Sequence, residues 1–202
     1  LPIYTRGLSL QAIKLVFENL EHSYHFGDEE SREKMHNAST MAGMAFANAF
    51  LGMSHSMAHK IGAVHHTVHG RTNAILLPYV IRYNGTRPSK TTTWPKYNYW
   101  KADEKFQDIA RMLGLPHSTP EEAVEAYAKA VYELGVAVGI KMNFKDQGID
   151  EKAWKDSLHE IALLAYEDQC SPANPRLPMV ADMEEIMADA YYGYAERPGR
   201  RK

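Results

Sequence analysis

GMSHSMAHKIGAVHHTVHG, residues 52–70, carries half of the chain's ten histidines and governs how the rest is read. His55 and His59 stand four positions apart, so on an α-helix their imidazoles lie one turn apart on the same face. That is the arrangement a metal or a catalytic pair requires. A lone HxxxH spacing is more often a pair of surface or hydrogen-bonded core histidines, but five histidines in nineteen positions argue for chemistry. Gly62 reads as a break in the helix, after which His69, just ahead of Gly70, reaches the same point only through a turn. Neutral imidazole is a common ligand of zinc and iron, and stable sites take three or four ligands. The zinc-protease pattern HExxH places a Glu directly after its first His; here Ser56 stands there, which excludes that reading.

Outward from this stretch the chain is helical. Upstream, Ile13, Val16, Phe17 and Leu20 recur at spacings of three and four and predict a helix over Leu8 to Leu20. Met35, Ala38, Ala42, Ala45 and Ala49 predict a second over Ser31 to Phe50, whose small residues allow close packing and give it a central place. Downstream, Arg71 to Tyr83 is apolar and helical, with Pro78 expected to kink or interrupt it. A Pro-, Thr- and Lys-rich loop follows at 84–96, long enough to be an interface or an excursion. A helix over Trp100 to Leu113 stops at Gly114. Thr119, Pro120 and Glu122 form a cap, a first-turn proline and a capping-box acid for a helix ending near Gly139. Further helices follow Asp150 as far as Ala165 and, after the proline-broken CSPANPRLP, run from Val180 to Tyr192. No alternation of the strand type persists and there is no internal repeat, so the class is all-α.

The 202 residues are 45% hydrophobic, enough for one well-buried core. Net charge is −2, with 23 basic and 25 acidic residues interspersed, which disfavours nucleic acid and anionic membranes as partners. Trp94, Tyr97, Tyr99 and Trp100 with Arg87, Lys90, Lys96 and Lys101 have the residue types of a nucleic-acid surface, but a packed loop or subunit contact is the simpler reading. The basic residues 197–202 read as a free terminus. One cysteine, Cys170, permits no internal disulfide, and no membrane span or secretory leader is recognisable; both suit a cytoplasmic protein. The opening LPIYTRG has neither an initiator Met nor a cap, as expected of a piece of a longer chain.

The run FANAFLGMSHSMAHKIGAVHHTVHGRTNAILLPYVIRYN, residues 46–84, resembles the signature region of the iron-containing (group III) alcohol dehydrogenases, closest to the alcohol dehydrogenase module of the bifunctional aldehyde/alcohol dehydrogenases. LSLQAIKLVFENL, DQCSPANPR and MADAYYG extend the resemblance along nearly the whole chain. It implies a helical, bundle-like C-terminal domain of dehydroquinate-synthase-like fold over residues 1–202, with an N-terminal NAD domain elsewhere and iron in the cleft between them. By the same resemblance His55 and His69 are metal ligands. Two more, an Asp and a His four residues later, lie upstream of the segment matching Leu1. His59 matches a histidine implicated in proton transfer, and Phe46 and Cys170 match positions near the nicotinamide and the alcohol pocket, where simple core packing is the alternative. His65 and His66 carry no implied role and read as solvated or supporting residues.

The implied activity is NAD-dependent interconversion of a small aldehyde, acetaldehyde for preference, and a primary alcohol such as ethanol, with Fe2+ and with Zn2+ as a possible substitute. The isolated chain is expected to be inactive. The alternatives are a zinc-dependent enzyme of the glycerol dehydrogenase kind and an oligomerisation module, since the bifunctional relatives form homo-oligomeric filaments.

Overall fold

A computed structural model describes residues 3–88 and 100–193. Eight helices are present among them and no strand: α1 (Ile3–His25), α2 (Glu29–Ala49), α3 (Met53–His65), α4 (His69–Gly85), α5 (Ala102–Met112), α6 (Pro120–Ala137), α7 (Glu151–Tyr166) and α8 (Val180–Tyr192), with a 3-10 turn at Ser171–Ala173. The expected all-α architecture is present. Trp94, Tyr97, Tyr99, Lys90 and Lys96 of the expected loop, and the basic residues 197–202, lie outside the described residues.

Two apolar clusters meet at α4. Ile75, Leu76, Tyr79 and Val80 of α4 pack with Met53, Met57 and Ile61 of α3, Trp154 and Ile161 of α7, and Met183, Met187 and Tyr191 of α8. Ile81 of the same helix joins Val124, Tyr127 and Ala128 of α6, with Phe17 of α1 and Phe106 of α5 against them. Being buried on both sides is what carries Pro78. The sequence predicts that this proline kinks or breaks the helix, yet α4 runs on through it to Gly85. A helix-interior proline costs about 3 kcal/mol, while each large apolar side chain fully buried returns about 1.5–3 kcal/mol. Five such residues surround Pro78, so packing prevails over the lost hydrogen bond.

The central helix is therefore α4 and not α2, contrary to expectation. Helix α2 packs chiefly on α1, as an antiparallel hairpin in which Tyr4 Oη donates to Asn48 Oδ1 at 2.8 Å. The buried residues of α2 are Ser31, Ala38 and Ala45, and those of α1 are Thr5 and Ala12. Both sets recur at seven-residue spacing, close to two helical turns. The small residues thus bring two helices of one hairpin together; they do not mark the middle of the molecule.

Helix ends follow local chemistry. Thr119 Oγ1 accepts from the Glu122 amide at 3.1 Å, and the Glu122 carboxylate accepts from the Ser118 amide at 2.7 Å, one residue before the usual capping-box partner. Asp28 and Asp150 cap α2 and α7 by accepting from the amides of Ser31 and Ala153. No helix among the described residues is long and apolar enough to cross a membrane.

Candidate metal centre

The histidine stretch folds as a helix, a tight turn and a second helix. Gly62 does not break α3, which continues to His65. The chain reverses at His66, which takes the left-handed conformation (φ 54°), and α4 begins at His69. Gly62 serves the turn in another way, since a Cβ there would meet the Thr67 carbonyl oxygen at 3.4 Å. The Thr72 hydroxyl fixes the turn through hydrogen bonds to the Thr67 hydroxyl (2.7 Å) and the Val68 carbonyl (3.0 Å).

This reversal brings together the three histidines singled out in the sequence. Ring centroids lie 5.3 Å apart for His55 and His69, 5.4 Å for His59 and His69, and 6.1 Å for His55 and His59. Two imidazoles sharing one tetrahedral ion have centroids about 5 Å apart, given metal–nitrogen bonds of about 2 Å. The His55–His69 and His59–His69 separations both fit that value. The chemistry of His55 suits a ligand as well. Burial, and then the neighbouring His69 and His59, push His55 below the ordinary imidazole range, which favours the neutral, lone-pair-bearing form a ligand needs. The Asn73 amide, which accepts from the Ser54 hydroxyl at 3.0 Å, donates to His69 Nε2 at 3.3 Å, so the Nε2 lone pair of His69 is held by Asn73 and an ion bound there would displace that amide.

The other expected residues border the cluster. Phe46, at the end of α2, lies 6.4 Å from the His55 ring and is 46% exposed, so core packing does not account for it. Cys170 is buried beside His59, and burial followed by Asp168 pushes its thiol up, away from the nucleophilic thiolate. His65 is half-buried, stacks on Trp154 and bonds to the Ser157 hydroxyl, so it belongs to the packing; His66 is exposed.

Sequence reading missed the groups that hold these residues in place. Asp168 lies under His59, with Oδ2 3.3 Å from His59 Nδ1 and 3.0 Å from Lys60 Nζ. Asn174 ties the start of α3 to the end of α4: its Oδ1 accepts from the Met53 amide at 3.2 Å and its Nδ2 donates to Asn84 Oδ1 at 2.7 Å. Arg176 stacks on the Tyr83 ring, 4.0 Å from its centroid, and donates to the Tyr83 carbonyl. The segment after α7 therefore clamps the histidine helices from across the fold. His59, Asp168 and Cys170 also bring ligand atoms within 4.8 Å of one another. Lys60 already neutralises that carboxylate and the thiol is held protonated, so these three form a hydrogen-bonded cluster and not a second ion site.

The chain has close relatives among known proteins. Residues 2–191 match the family model described as "Fe-containing alcohol dehydrogenase family, C-terminal". An aldehyde-alcohol dehydrogenase of Streptococcus pneumoniae is 80% identical over 199 residues, covering 98% of this chain and 22% of its own length. The bifunctional aldehyde-alcohol dehydrogenase of Escherichia coli is 39% identical, over 94% of this chain and again 22% of its own length. Among solved structures, an alcohol dehydrogenase from Oenococcus oeni superposes with a TM-score of 0.80 at 32% identity, covering 94% of this chain and 45% of that one. The chain thus spans about a fifth of the length of these curated relatives.

Proposed function

The chain belongs to the iron-containing alcohol dehydrogenase family, whose C-terminal part it matches, and on that premise we propose that residues 1–202 are the helical, metal-binding wall of an NAD-dependent enzyme interconverting acetaldehyde and ethanol. The observation that carries the reading is the convergence of His55, His59 and His69 through the turn between α3 and α4. His55 and His69 would hold Fe2+, with Zn2+ as a possible substitute, and the remaining ligands and the NAD site would come from chain outside these 202 residues. Two imidazoles are fewer than the three or four ligands of a stable site. When bound, the metal supplies Lewis-acid polarisation of the substrate oxygen and the nicotinamide exchanges the hydride.

The chain's own residues manage the proton and the pocket. In the oxidation direction His59 takes the proton released as the alcohol O–H bond breaks, and in reduction it returns that proton. Phe46 presents an apolar face beside His55, and the protonated Cys170 thiol fills the wall next to His59 without competing as a nucleophile. The test is NADH oxidation by acetaldehyde with the whole polypeptide, with no metal, Fe2+ or Zn2+ added. Turnover restored by Fe2+ supports the reading. Activity indifferent to metal refutes it, and activity with Zn2+ on glycerol alone favours the glycerol dehydrogenase alternative.

A further inference from the structure

Asp168 receives more polar contacts than its exposure suggests. Its side chain is 8% exposed, and its Oδ1 accepts from the Cys170 amide at 3.0 Å. Its Oδ2 accepts from Lys60 Nζ at 3.0 Å and faces His59 Nδ1 at 3.3 Å. Burial alone would raise this carboxyl; the Cys170 amide, Lys60 and His59 outweigh it and hold the group well below the ordinary carboxylate range. An ionised carboxylate can only accept hydrogen bonds. The nitrogen that faces it must therefore carry the hydrogen, which fixes neutral His59 as the Nδ1–H tautomer and leaves the lone pair on Nε2. The ring plane is fixed from the other side, where His59 stacks on His69 at 19°.

We propose that Asp168 is a positioning residue for His59, setting its tautomer and orientation so that Nε2 is the atom that accepts the proton, with Lys60 as the counter-ion that keeps Asp168 charged. This rests on the reading of His59 as the proton-transfer group and adds what aims it. The reach is long in sequence: 109 positions separate the two residues, and the segment that clamps α3 to α4 is the one that delivers the carboxylate.

The test is 15N NMR of the histidine rings in the 202-residue chain at about pH 9, above the ordinary imidazole range, with His59→Gln used to assign the signal. The wild type is expected to show Nδ1–H at His59. In Asp168→Ala no acceptor faces Nδ1, so the signal should shift toward Nε2–H. An Nε2–H or mixed signal in the wild type overturns the proposal whether or not the variant folds. So does an unchanged tautomer in a variant with wild-type circular dichroism. The measurement needs no metal, cofactor or turnover, so failure of the dehydrogenase reading leaves it standing. Where that reading holds, Asp168→Ala in the whole enzyme should lower kcat about 100-fold or more with KM and metal content little changed. A loss of metal in step with kcat would count against a positioning role.

Discussion

Individual residues divide according to how far apart in sequence their partners are. His55 and His59 were legible because one helical turn brings them together, and His69 because a short reversal follows. Asp168 and Asn174 were not: an Asp two positions before a Cys, or an Asn among prolines, gives no local sign of a partner 109 or 121 positions away. Gly52 shows how tightly that distant clamp fits. A Cβ on Gly52 would lie 2.8 Å from Asn174 Oδ1, and Asn174 is held by the Met53 amide, Asn84 and the Arg176 carbonyl. It cannot yield without losing those bonds. Gly52→Ala is expected to destabilise the chain by about 1–3 kcal/mol, measured by urea denaturation, and a variant as stable as wild type would show the clamp to be slack.

At the level of elements, sequence captured helix existence better than helix roles. The cap at Thr119 and the glycine stops at Gly114 and Gly139, with φ of 69° and 76°, were readable because their chemistry is local. Pro78 and the small-residue stripe of α2 were misread because their meaning depends on what packs around them. Thr119→Ala should cost about 1 kcal/mol by losing the α6 cap, a drop in melting temperature that circular dichroism would detect. The cap of α2 adds a pH dependence. The Ser31 amide, then the Ser31 hydroxyl, lower Asp28 to about 2 from its ordinary 3.8. A carboxyl depressed on folding stabilises above its unfolded value, and that stabilisation is lost as pH falls through the folded one. The stability difference between wild type and Asp28→Asn should therefore change between about pH 4 and pH 2; melts showing no change in that window would contradict the assignment.

The molecule as a whole is a core of α3, α4, α7 and α8 that carries the histidine cluster, with the α1–α2 hairpin laid beside it. Among the described residues α2 packs chiefly on α1, and the contacts joining the hairpin to the rest include Phe17, the Arg6–Asp108 ion pair, a His25 bond to the Ala137 carbonyl and Phe46 beside His55. Local opening follows such thin attachment. Amide hydrogen exchange should accordingly be faster in α2 than in α3 and α4, and equal protection would mean the hairpin is bound more firmly than its packing suggests. On the proposed reading the chain supplies two imidazole ligands, half of a centre, so the 202-residue chain alone is expected to show no ethanol oxidation with added Fe2+ and NAD+. The central claim is the division of labour among the three histidines, and iron content of the whole polypeptide by elemental analysis tests it most directly. Tight iron should be lost in His55→Ala and His69→Ala and kept in His59→Ala, which turns over slowly; equal loss of iron in all three would contradict the account.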